Sequence, residues 1–202
     1  LVRTRYGDSL VIAEWHPYPY DTFNINPDDS LRVARYQHNP GQPALILDGY
    51  LEVVMPSDPV QYYGEFDNAV QVVKSESTFV MLTIDSAAVD STEGRVFIRL
   101  AADSITLGTS PTLYCVVTED SLLDPLGGAY FRVAARFVPS AAGIPLSLSR
   151  GDTLDTILTF PTVGSRLDKL GAAVFVEDAS GNAAHRVLQS ATVSRFVLTE
   201  DK

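Results

Sequence analysis

One cysteine, three histidines and a scatter of carboxylates are the residues of this chain with the widest chemical reach. Cys115 stands on an alternating stretch with Leu113 and Val117, the pattern of a buried strand, and Glu119 and Asp120 follow it. A reactive thiol needs an accessible, electropositive setting, so Cys115 reads as a small buried hydrophobe rather than a nucleophile. His16 lies in the run Trp15-His16-Pro17-Tyr18-Pro19-Tyr20. An imidazole that titrates near neutrality beside Trp15, Tyr18 and Tyr20 can recognise a ligand or move a proton; the plainer reading is a loop packed on its own rings. His38 reads as a partner for the C-terminal end of a helix dipole. His185 reads as a surface residue opening the last strand. For an oxygen-ligated calcium ion, the candidates are Asp120 with Asp124 and Glu177-Asp178 with Asn182. Neither set has EF-hand spacing, and solvated carboxylates at strand ends are the simpler reading, so no metal is expected. The sequence holds no G-x-S-x-G elbow, P-loop or G-x-G-x-x-G. No catalytic residue and no cofactor are assigned, which favours a non-enzymatic chain.

The bulk properties narrow the class further. The chain has 202 residues, 46% of them hydrophobic, enough for a packed core in one large domain or two small ones. Fifteen Lys and Arg against 25 Asp and Glu give a net charge of −10 with no basic cluster, which excludes a nucleic-acid backbone as partner. A single cysteine forms no disulfide within the chain and supplies no multi-cysteine zinc site. No run reaches 18 apolar residues, so no transmembrane segment is expected. The opening Leu-Val-Arg-Thr-Arg-Tyr-Gly-Asp has no apolar leader and reads as a processed or partial start.

The elements that would position these residues follow from patterning. Leu10–Trp15 is a short apolar run, read as a buried strand, and residues 16–26 form a loop. Asn26-Pro27-Asp28-Asp29 is an N-cap, a first-turn proline and two acids at the positive end of a dipole, so a helix is expected to about Gln37. Asn39-Pro40-Gly41 stops it, and Pro43–Leu47 is a second strand. Asp48-Gly49 is a tight-turn signal leading into Leu51–Met55. Asp58-Pro59-Val60-Gln61 opens a helix over 59–74, with Tyr63, Phe66, Val70 and Val73 at helical spacing. From Thr78 onward the period becomes that of strands, with candidates at 79–85, 95–101, 112–119, 130–138, 153–160, 171–177 and 185–198. Val96, Ile98 and Leu100 alternate with Arg95, Phe97 and Arg99. Seven strands in this span predict a β-sandwich of immunoglobulin-like type. The expected fold class is therefore α+β. A partial thioredoxin-like α/β domain covers 1–76, and an immunoglobulin-like antiparallel β-sandwich covers 77–202.

The order and spacing of Phe23-Asn24-Ile25-Asn26-Pro27-Asp28, Arg35-Tyr36, Gln42–Gly49, Tyr114–Asp120 and Arg132–Leu148 resemble the outer membrane protein 28-like family of Bacteroidetes-type bacteria. The resemblance implies a thioredoxin-like domain followed by a β-sandwich in an exported, cell-surface or outer-membrane-associated protein. It also makes Gln42-Pro43 a candidate cis-proline turn of the kind that touches substrate backbone in thioredoxin-like folds; the alternative is a trans proline opening a strand. Trp15, His16, Tyr18, Tyr20, Gln42 and Pro43 are thus the candidate binding residues. The departure from the family is the lack of the strand–Cys-x-x-Cys–helix segment, whose strand would lie centrally, between 10–15 and 43–47. An unpaired buried backbone group costs on the order of 1–3 kcal/mol, so that strand is expected from upstream sequence or from a protein partner, unless the sheet is rearranged. Three functions follow: a non-catalytic surface module with a structural, assembly or binding role, an extracytoplasmic thiol–disulfide protein with its Cys-x-x-Cys upstream of residue 1, or a subunit of a surface assembly completed by a donated strand.

Overall fold

The computed structural model describes residues 10–15, 44–54, 59–103, 111–123, 129–130, 133–178 and 185–199. Strands β1 (Ala44–Leu47) and β2 (Leu51–Val54) form an antiparallel hairpin, with Ala44 opposite Val54. Asp48 and Gly49 make the turn with φ of 46° and 76°, and Tyr50 N donates to Leu47 O at 3.1 Å. Positive φ at both central residues matches the right-handed twist of the strands. Helix α1 (Pro59–Lys74) begins on the proline, as expected, and ends where Ser75 N returns to Gln71 O and Ser75 Oγ donates to Val72 O. It buries Phe66, Ala69 and Val70 against Leu47 and Val53, with Leu10, Leu45, Tyr62 and Val73 around them. Tyr63 departs from the expected face. It lies 100° round the helix from Tyr62, at the rim of the stripe, and stays exposed.

The larger part consists of two sheets packed on one core. The first has the order β10-β4-β3-β13, from β3 (Val80–Val89), β4 (Glu93–Ala102), β10 (Thr153–Pro161) and β13 (Val197–Leu198). The second has the order β12-β11-β5-β8, from β5 (Thr112–Glu119), β8 (Val133–Val138), β11 (Leu170–Asp178) and β12 (Arg186–Val193), with β9 (Ile144–Pro145) also on β5. Strands β6 (Leu122–Leu123) and β7 (Ala129–Tyr130) pair beside them. Val96, Ile98 and Leu100 face Leu113, Cys115, Val117, Ala172 and Val174 across the core, while Arg95 and Arg99 point outward.

In β5 and β11 nearly every residue is buried, because the second sheet is covered on both faces. Such strands read as continuous apolar runs rather than alternation, as Leu113–Val117 and Ala172–Val176 do. The outer face carries Tyr114, Val116, Ala134, Phe137 and Phe175, with Trp15 packed against them.

Three expectations change in detail. Residues 10–15 are half-buried, but among the described residues their β-pairing is one parallel bridge, Glu14 to Val133, with Ala134 N donating to Glu14 O at 2.9 Å. Trp15 stacks on Phe137 of the second sheet, while Leu10 at the other end of the segment packs against the cluster of β1, β2 and α1. The described part of the expected strand 130–138 falls in two elements: Ala129–Tyr130 pairs with β6, and Val133–Val138 pairs with β5 with a register shift at Val117/Thr118. The expected strand 185–198 is also split: β12 stays in the second sheet, Phe196 enters the core and β13 joins the first sheet parallel to β3. His16, Tyr18, Tyr20, Gln42, Pro43 and the helix expected after Asn26 lie outside the described residues. Among the described residues the cis X-Pro bond is Val138–Pro139.

Candidate functional site

A cleft of about 540 Å³ opens where the β1–β2 hairpin and α1 meet β12. Its floor is the face of α1 that bears Tyr62, Phe66, Val70 and Val73, and its walls are residues 10–14, 45–48 and 186–190. The apolar floor follows from the 62/66/70/73 spacing, which puts these side chains on one stripe.

A polar cluster closes one end. Tyr50 Oη donates to Glu76 Oε1 at 2.6 Å, and Arg186 donates from Nη2 to Glu76 Oε2. Val187 N donates to Asp48 O at 2.7 Å, joining the hairpin turn to the start of β12. The hydrogen bond to Glu76 pushes the Tyr50 phenol up to about 12. Burial, and then the charge of Glu76, raise the Asp48 carboxyl above its ordinary value, and Arg186 opposes them. No hydrogen bond among the described residues relieves that carboxyl. Arg186 Nε is buried without a hydrogen-bond partner among the described residues. The cleft thus offers an apolar floor and, at one end, the carboxylates of Asp48 and Glu76 beside the Arg186 guanidinium.

Asp48 gives a prediction with a definite sign. Its carboxyl titrates higher folded than unfolded, so the stability it contributes is fully present below about 3.8 and is lost as pH rises through the raised folded value. Asp48→Asn keeps the left-handed turn, which asparagine tolerates. The variant is expected to melt above the native chain at pH 7, and the gap is expected to close below pH 3.8. Paired melting curves across that range check it, and a gap independent of pH would refute the assignment.

Of the candidate residues, Trp15 is described, half-buried and stacked on Phe137 at 5.4 Å. Cys115 is fully buried, and burial pushes its thiol up to about 12. His185 differs from its expected surface role: its Nδ1 lies 3.1 Å from Oε1 of Glu177, whose side chain is wholly buried. The φ of 74° at His185 turns the chain so that the ring faces β11. Glu177 is therefore no solvated strand-end carboxylate. Glu119, from the other acidic corner, pairs with Arg166 at 2.5 Å, and Arg166 also caps the carbonyls of Asp120 and Ser121. Among the described residues no three His, Cys, Asp or Glu side chains converge to hold a metal, and no helix is long and apolar enough to cross a membrane. Sequence reasoning missed Asp48, Glu76 and Arg186 as a group. The only local signal was the Asp48-Gly49 turn.

No known family and no curated protein matches the chain in sequence. Among solved structures, HBP35 of Porphyromonas gingivalis superposes over 87% of this chain with a TM-score of 0.70 at 11% identity. A domain of the outer membrane lipoprotein Omp28 from the same organism matches 62% of this chain and 93% of that domain, at 13% identity and a TM-score of 0.41. The likeness to HBP35 is one of fold, and this chain spans 61% of that protein's length.

Proposed function

We propose that this chain is an exported or cell-surface, non-catalytic module with a structural, assembly or binding role. In this reading residues 1–76 form a thioredoxin-like unit, of which β1, β2 and α1 are the described part. Residues 77–202 form an immunoglobulin-like sandwich. The strand orders 10-4-3 and 12-11-5-8 support the second assignment, since they join consecutive strands across two facing sheets. The observation that carries the binding role is the cleft itself, apolar at its floor and polar at one end.

The thiol–disulfide alternative gains nothing from Cys115, whose buried thiol is the opposite of an activated one. Cys115→Ser is expected to cost about 1–3 kcal/mol by leaving a hydroxyl unpaired in the core, and to leave binding unchanged. A urea melt and a binding titration on the same sample check both halves. The location is tested by immunolabelling intact cells of the organism that makes the protein. Signal before permeabilisation supports the proposal, and signal only after lysis overturns it.

A further inference from the structure

Two apolar clusters are built from separate stretches of the chain: Leu47, Val53, Phe66, Ala69 and Val70 in one, and residues from Val80 to Phe196 in the other. Contacts join the two parts on two sides of the cleft. On one side the segment 10–15 reaches across, with Leu10 against the first cluster, Trp15 stacked on Phe137, and Ala134 N donating to Glu14 O at 2.9 Å. On the other side the contacts are polar: Val187 N donates to Asp48 O at 2.7 Å, and Glu76 accepts from both Tyr50 and Arg186.

The polar side is unbalanced in charge. Glu14, Lys74, Glu76 and Arg186 line the cleft with Asp48, and those whose charges act on Asp48 are Glu76 and Arg186. His185, next to Arg186 in the chain, is turned to Glu177 of β11, and the Tyr50 phenol, pushed up to about 12, stays neutral. While Asp48 is neutral, Glu76 and Arg186 form a balanced pair. Once Asp48 ionises, two carboxylates share one guanidinium. Burial and the Glu76 charge together outweigh Arg186 and hold the Asp48 carboxyl above its ordinary value. Its charged form is therefore favoured in an arrangement where it meets water. Asp48 heads the hairpin turn, so lifting that turn hydrates the carboxylate and gives up the rung from Val187. The other side rests on an aromatic stack and a main-chain hydrogen bond, neither of which titrates. We propose that this junction is a pH-operated latch: ionisation of Asp48 lifts the hairpin turn from β12, with the segment 10–15 as the pivot, and widens the cleft between them. The latch goes beyond the location proposed above, which the labelling experiment decides.

Two amides of the whole chain read the two sides separately. Val187 N belongs to the latch and Ala134 N to the pivot. Their hydrogen exchange is followed from pH 3.8 to pH 7, each rate divided by the intrinsic rate at that pH, so that what remains is local opening. Protection at Val187 is expected to fall at least about threefold as pH rises, because only the opened form hydrates the charged carboxylate. Protection at Ala134 is expected to stay level. Asp48→Asn, which the left-handed turn tolerates, should keep Val187 protected across the range. Glu76→Gln removes the negative charge that acts on Asp48, so the fall at Val187 should move to lower pH. The carbon-13 shift of the Asp48 carboxyl, followed on the native chain, should change over the same pH range as the protection of Val187. The proposal is overturned if Val187 protection is level with pH, or if Val187 and Ala134 lose protection together, since the segment 10–15 is then no pivot. It is also overturned if the fall persists in Asp48→Asn, or if Glu76→Gln moves it to higher pH, since a different group then drives the opening.

Discussion

Replacing Phe160 with alanine is expected to cost the fold about 3–5 kcal/mol, a drop of roughly 6–20 °C in melting temperature for a chain of this size. Phe160 is 3% exposed and sits in β10 directly opposite Gly94 of β4. Its ring lies on the bare Cα of that glycine: a Cβ built at Gly94 would stand 2.1 Å from Phe160 Cζ. The ring also meets Phe196 edge-on at 5.6 Å, and the Arg136 guanidinium lies 6.0 Å from its centre. The absent side chain at Gly94 is thus the space that Phe160 fills. Gly94→Ala alone is expected to cost about 1–3 kcal/mol by overpacking. In the Phe160→Ala background the same methyl enters the vacated space. The double variant should therefore be more stable than the sum of the two losses by at least about 1 kcal/mol. Denaturant melts of the four proteins make the comparison. Additivity to within about 0.5 kcal/mol would show that the two residues do not share that space.

How much of this was legible in the sequence depends on how local each pattern is. The alternation of Val96, Ile98 and Leu100 with Arg95, Phe97 and Arg99 states the inward face of β4 directly, because a strand with one solvated face repeats every two residues. Helix α1 was equally plain from its proline start and its 66/70/73 stripe. The unbroken runs in β5 and β11 announce burial on both faces, but they do not say what lies on the outer one. That depends on Trp15 reaching a sheet more than a hundred residues downstream. The cleft was the least legible part. Glu76 and Arg186 are 110 residues apart, and each sits at the end of an element, where its sequence surroundings look like ordinary loop. Asp48 was visible as a turn residue. Nothing nearby could show that the turn would be pressed against β12, with its carboxyl half-buried. Buried Glu177 was misread for the same reason: its partner His185 approaches across a hairpin, and a carboxylate at a strand end looks solvated until that partner is placed.

Phe137→Ala is the sharpest test of how the N-terminal segment is held. Phe137 is 7% exposed and stands in the middle of an aromatic row on the outer face of the second sheet. Trp15 stacks on it at 5.4 Å with the planes 17° apart, Tyr114 meets it edge-on at 6.2 Å, and Tyr114 stacks in turn on Phe175 at 5.3 Å. Removing the ring deletes the contact between the segment and the sheet and opens a hole beside Tyr114. A loss of about 3–5 kcal/mol is expected. Trp15 is the single tryptophan of the chain, so its emission reports the same event independently: without its stacking partner it should move to longer wavelength as water reaches the indole. The two readouts separate two roles for the row. If it ties the segment to the sheet, stability falls and emission shifts together. If it serves only the core of the sheet, stability falls while the emission of Trp15 stays where it was. In that second case the bridge from Glu14 to Val133 would be the principal tie, and the wall of the cleft formed by residues 10–14 would survive the loss of the ring.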